Sequence, residues 1–225
     1  KPGFQVKIMH FASYFLWGFV FKYTYVSRRA GQRRMLMTEK LQLFLEAIQD
    51  APVIAAVKND EGLDRALASD STVIFLLYGT ILNIKELVQQ VKEAGKLAFI
   101  HIDLVEGMSS KDISAEYIAS RTEADGIIST HPNLIRRARE LGLLTIQRFF
   151  MLDSLSFANV LRQSSNADVV DVLPGAIASV ISHLVQEVHQ PLIASGLLLD
   201  KSDVVAALSA GAVAVSTTSE RLWSV

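Results

Sequence analysis

Two side chains that move protons, His101 and Asp103, stand two positions apart at the end of the apolar run Leu97–Asp103. Positions i and i+2 of a strand project to one side, so an extended run would aim both at the same space. An imidazole beside a carboxylate hydrogen-bonds a ligand or passes a proton. A structural pair, with Asp103 capping the next loop, would use the same two residues. Gln147 and Arg148 close another apolar run and face opposite ways if that strand is regular. One of them would then reach a ligand while the other pairs with a neighbour such as Asp171. Small residues end two further runs: Ser195-Gly196, and Ser216 followed by Thr217, Thr218 and Ser219. Backbone N–H groups bind phosphate where its oxygens approach closely, and Gly196 has no side chain to block them. Hydroxyls and amides of Thr217, Thr218 and Ser219 supply further donors. Helix capping is the competing explanation of either cluster taken alone. No carboxylate pair suits glycoside hydrolysis. The histidines (His10, His101, His131, His183, His189) lack ligand spacing, so no metal or other cofactor is expected.

These residues sit at the ends of eight short runs, at 53–57, 73–78, 97–103, 126–130, 143–149, 169–173, 191–195 and 212–217. The runs are mostly apolar on both faces, as strands buried in a parallel sheet are. Helical patterns fall between them. Ile81–Ala94 spaces Leu82, Leu87, Val88 and Val91 and stops at Gly95, a C′ glycine. Asn133–Leu141 follows Pro132, which suits a first turn, and ends at Gly142. Ser154–Gln163 follows the N-cap Asp153, and Asp200–Ala210 ends at Gly211. Eight such units predict an α/β chain folded as a single (β/α)8 TIM-type barrel. An open doubly wound sheet is the alternative. It often carries a Gly-rich fingerprint after its first strand, where this chain has Lys58-Asn59-Asp60. In a barrel the site lies at the strand C-termini, and phosphate commonly sits at the loops after strands seven and eight. Both small-residue clusters fall there.

A chain of 225 residues with 50% hydrophobic content has room for one domain with a sizeable core. A formal net charge of −1 excludes a global basic field for nucleic acid, so any such contact needs a local patch. The absence of cysteine excludes disulfides and cysteine chemistry and fits a reducing, cytoplasmic location. Phe11–Phe21 is apolar and aromatic but falls short of the roughly 20 apolar residues of a membrane span. With Arg28, Arg29, Arg33 and Arg34 behind it, residues 1–36 read as an upstream extension and 37–225 as the barrel, with Met35 or Met37 as the natural start. An interfacial amphipathic anchor is the rival, but no stable membrane association is expected. Arg136, Arg137 and Arg139, with Lys111 and Arg121, are candidates for an RNA-contacting face; a solvated helix face is the plainer reading.

The strand-end set resembles the glycerol-3-phosphate-responsive antiterminator family, the regulators of bacterial glycerol uptake operons. The resemblance rests on His101-Ile102-Asp103-Leu104 with Glu106-Gly107, Gly126–Thr130, Ile146-Gln147-Arg148 with Leu152-Asp153, Val172–Gly175, and Ala210–Val215 through Thr217-Thr218-Ser219 to Trp223. It runs from about Pro52 to Trp223. Two positions depart from the familiar pattern: Ser195 where a Gly-Gly pair is usual, and Asp171 where Glu is usual. The resemblance implies a non-catalytic sensor that binds glycerol 3-phosphate and then a leader mRNA, letting polymerase read past a terminator. It implies His101, Asp103, Gln147, Arg148 and Asp171 around the glycerol moiety, and Ser195, Gly196, Thr217, Thr218 and Ser219 around the phosphate. A homodimer is compatible with this reading. The alternative is a barrel enzyme acting on a small phosphorylated substrate, with His101 and Asp103 as acid–base candidates. Against it, no lysine stands late in the sixth strand for a Schiff base.

Overall fold

Strands that are apolar on both faces must be covered on both, and closure into a ring surrounded by helices does this. The computed structural model describes residues 39–224. The expectations for residues 1–36, including Phe11–Phe21, and the boundary at Met37 therefore lie outside the described residues. The eight strands are β1 (Val53–Val57), β2 (Val73–Leu76), β3 (Leu97–His101), β4 (Gly126–Ser129), β5 (Leu144–Phe150), β6 (Val169–Leu173), β7 (Leu192–Ser195) and β8 (Ala214–Thr217). They form a closed barrel in sequence order, all parallel, with β8 returning to β1 through Val53↔Val215. The chain is therefore a (β/α)8 barrel.

The helices are α1 (Glu39–Asp50), α2 (Asp60–Ala68), α3 (Ile84–Glu93), α4 (Asp112–Arg121), α5 (Pro132–Glu140), α6 (Ser154–Gln163), α7 (Ala178–Glu187) and α8 (Lys201–Ser209). Their starts follow local chemistry. Asp153 and Asp200 open α6 and α8 with capping boxes that satisfy otherwise orphaned N–H groups. Pro132 occupies the first turn of α5, where no N–H is needed. Gly126 lets β4 approach β5, since a Cβ there would lie 2.2 Å from the Leu144 carbonyl oxygen. None of the described helices is long and apolar enough to cross a membrane.

Two apolar clusters divide the core. One lies between the strands and the outer helices. The other fills the barrel interior and includes Ile54, Phe75, Phe99, Ile146 and Ile193. Helix α1 belongs to this second cluster. Its Leu41, Phe44, Leu45 and Ile48 have the i, i+3, i+4, i+7 spacing of one apolar face and are buried in the lumen. Phe44 meets Phe99 edge-on, with ring centroids 5.3 Å apart. Thr72 Oγ1 donates to the Ala47 carbonyl and Lys40 Nζ to the Gly142 carbonyl. Helix α1 thus closes the N-terminal end of the barrel. It precedes the first strand and lies outside the eight strand–helix units expected from the sequence.

Truncating Phe44 to Ala empties the centre of this seal. It is expected to lower unfolding free energy by about 3–5 kcal/mol. Leu43→Ala, on the exposed face of the same helix, should change it by less than about 0.5 kcal/mol. Urea unfolding followed by circular dichroism measures both.

Candidate functional site

Strand alternation decides which polar residues share the lumen. His101 continues the inward parity of Phe99, Arg148 that of Ile146, Asp171 that of Val169, and Ser195 that of Ile193. All four are buried. Arg148 Nε donates to Asp171 Oδ2 at 2.6 Å, and the two residues stand in register on neighbouring strands. Ser195 Oγ donates a short hydrogen bond to the other carboxylate oxygen, Oδ1. Both oxygens of Asp171 are therefore engaged. The terminal nitrogens of Arg148 have no partner among the described residues.

His101 is 4% exposed, and its Nδ1 has no hydrogen-bond partner among the described residues. Burial lowers its pKa to about 4, the Arg148 charge pushes the same way, and Asp103 and Asp171 oppose it only in part. The imidazole is thus neutral near pH 7. Unengaged guanidinium nitrogens beside a buried neutral imidazole suit an anionic ligand that carries hydroxyls.

Two of the residues expected around the glycerol moiety are placed differently. β3 ends at His101, and the chain turns into a 3-10 helix over Ile102–Leu104. The strand rule then no longer holds His101 and Asp103 to one side. Asp103 accepts from Ser129 Oγ at 2.6 Å, Thr130 N at 2.7 Å and Thr130 Oγ1 at 2.8 Å. It ties the turn after β3 to the end of β4, as the capping alternative describes. Gln147 and Arg148 do face opposite ways, and Arg148 is the one that faces the lumen. Gln147 faces α6, where its Nε2 donates to Gln163 Oε1 at 3.2 Å. Its own Oε1 is buried without a partner among the described residues.

The rim over β7 and β8 is built from close backbone contacts. Gly196 has φ +73°, and Leu197 follows at φ +56°, the one non-glycine with positive φ among the described residues. Gly175 N donates to the Ser195 carbonyl at 2.6 Å and to the Gly196 carbonyl at 3.0 Å, which presses the loop after β6 against the end of β7. Thr217 points away from the lumen. Its Oγ1 donates to the Leu198 carbonyl and accepts from Ser219 N at 3.1 Å, so it organises the loop. Thr218 is exposed and Ser219 half-buried. The lumen position of β8 belongs to Ser216, buried and paired in register with Ser195. Its parity with Ala214 marks it as an inward residue in the sequence.

The arginine run is largely neutralised. Arg137 pairs with Glu116 and Glu140, both at 2.9 Å, and Arg139 with Asp168 at 3.3 Å. Arg136 is exposed and has no partner among the described residues. Groups of three or more metal-ligating side chains are absent among the described residues.

Residues 53–223 match the family model described as glycerol-3-phosphate responsive antiterminator. The uncharacterized protein YgcP of Escherichia coli (strain K12) is 43% identical over 182 residues, covering 80% of this chain and 95% of its own. The crystal structure of the glycerol uptake operon antiterminator regulatory protein from Listeria monocytogenes matches with TM-score 0.73 and 31% identity, covering 77% of this chain and 95% of that one. A glycerol uptake operon antiterminator-related protein from Thermotoga maritima matches with TM-score 0.68 and 30% identity, over 76% of this chain and 96% of that one. A deoxyribose phosphate aldolase from Aeropyrum pernix, 15% identical, shares the fold alone.

Asp171→Asn leaves Arg148 buried without a counter-charge and is expected to cost about 3–5 kcal/mol of stability. His101 makes stability acid-sensitive. The unfolded chain takes up this proton near the ordinary 6.5, the folded protein only near 4. Between those values the unfolded state holds more protons, so stability falls as pH falls, by at most about 1.4 kcal/mol per unit. His101→Gln should flatten that part of the curve, and parallel urea titrations of wild type and variant from pH 7 to 4 measure the difference.

Proposed function

This chain belongs to the glycerol-3-phosphate responsive antiterminator family, and on that premise we propose that it is a glycerol 3-phosphate sensor that binds a leader mRNA and controls glycerol uptake and metabolism genes. The observation that carries the reading is the lumen group: Arg148 anchored through Nε alone, beside the neutral, unpartnered Nδ1 of His101. The glycerol hydroxyls meet this group. The phosphate lies higher, against backbone amides after β7 and β8, where Gly196 leaves the approach open and Thr218 and Ser219 stand at the rim. Ser195 and Asp171 support the site by holding Arg148 in place. Asp103 supports it at one remove, through the end of β4, and Gln147 contributes from the helix side of β5.

The enzyme alternative loses support at the same positions. The lumen position of β6 carries Asp171 rather than an amine for Schiff-base chemistry. Asp103 is engaged by three hydrogen bonds, and so does not form an acid–base pair with His101. On the sensor reading the ligand must bind the RNA-competent state more tightly than the other state. Arg136 is the cation of its run left open to RNA phosphate. A leader-mRNA partner makes the working location cytoplasmic.

Glycerol 3-phosphate at about 100 times its Kd should add about 2.7 kcal/mol of stability. Thermal denaturation reads this, and phosphorus NMR follows the ligand for turnover. Stabilisation without conversion is expected; conversion would overturn the sensor reading. Gly196→Asp, which brings a side chain and a negative charge to the rim, should abolish the stabilisation. A gel shift with glycerol operon leader RNA should strengthen when the ligand is added.

A further inference from the structure

Six large apolar side chains stand open on one sector of the barrel mouth. Leu152 is 84% exposed; Phe150, Leu155, Leu197 and Leu199 are each more than half exposed; Ile177 is 40% exposed. They come from the last residue of β5 and from the chain after three neighbouring strands, β5, β6 and β7. Backbone bonds hold these segments side by side. Met151 N donates to the Leu173 carbonyl at 2.6 Å, and Gly175 N to the carbonyls of Ser195 and Gly196. Singly exposed leucines are ordinary, but a contiguous group of this size is not.

We propose that this apolar sector docks a second copy of this chain, mouth against mouth. Three observations favour that occupant. The first is area. At roughly 100 Å² of open apolar surface per residue, the six offer on the order of 600 Å². That is the upper end for the largest patch on a monomer and approaches the roughly 800 Å² each partner contributes to a standard interface.

The second is charge. Segments 151–153, 174–177 and 196–200 carry only Asp153 and Asp200, and both carboxylates accept from backbone N–H groups as N-caps. RNA phosphates would meet no arginine or lysine on these segments and would face two carboxylates, although Lys201 follows directly at the start of α8. A nearly uncharged apolar surface instead suits its own copy, related by a two-fold axis. The third is Leu197. A leucine at φ +56° is a strained choice where glycine or asparagine is usual, yet its side chain is 66% exposed and packs little within one copy. A facing copy gives that conformation a contact to make.

The surface is defined without reference to any ligand, so this inference stands or falls apart from the sensor reading. Sedimentation velocity of the full chain over a wide concentration range should show a monomer–dimer equilibrium. Leu152→Glu with Leu199→Glu should weaken it at least about 100-fold, because carboxylates would be buried unpaired. Leu82→Glu, equally exposed on the opposite side of the mouth, should leave it unchanged. The chain has no cysteine, so Leu199→Cys gives a single attachment point. A short bis-maleimide should join two such chains, and should fail to join chains carrying Leu82→Cys. A monomer at every concentration would overturn the proposal, whatever covers the sector instead. So would a dimer that survives the double substitution, or equal cross-linking from position 82.

Discussion

A guanidinium and a carboxylate removed from water each lose several kcal/mol of solvation. Their attraction offsets this only when the geometry is good and the remaining polar atoms find partners. Arg148 and Asp171 meet that condition because they stand in register on adjacent strands. A one-residue slip of β5 against β6 would turn one of them outward and strand the other. The pair therefore holds the register of the strands that build the mouth. It also sets the chemistry beside it. The Arg148 charge adds to burial in keeping His101 neutral, so the lumen presents a fixed cation and an uncharged imidazole. Everything above the apolar layers depends on this pair staying enclosed and aligned.

The two departures from the familiar family pattern, Asp171 and Ser195, touch each other. Asp reaches one methylene less far than Glu, and the hydroxyl of Ser195 donates to the carboxylate oxygen that Arg148 does not bind. The Ser195 hydroxyl is turned into the lumen toward Asp171, and so the added side chain does not crowd the rim at Gly196. Read along the chain, the two changes are separated by strands and loops. Read across the barrel, the two residues are hydrogen-bonded neighbours.

Much of the fold was legible in the sequence because it rests on local chemistry. Doubly apolar runs mark all eight strands, and Asp153, Asp200 and Pro132 mark helix starts where the structure has them. Parity along β5 correctly separates Gln147 from Arg148. Other features depend on tertiary contacts that spacing does not carry. The turn at Ile102 ends the strand rule one residue before it would reach Asp103. Which way Gln147 faces, and that Gln163 waits there, follows from closure of the barrel. Helix α1 carried its periodicity openly. Its role became visible only once the barrel had an end for it to fill.

That seal has a kinetic consequence. With Phe44 and its neighbours filling the base, the barrel is closed at its N-terminal end. Any small molecule held beside Arg148 must leave by the aperture through which it came. The rate of that exit is then set at the mouth alone, and by whatever leans on it from outside.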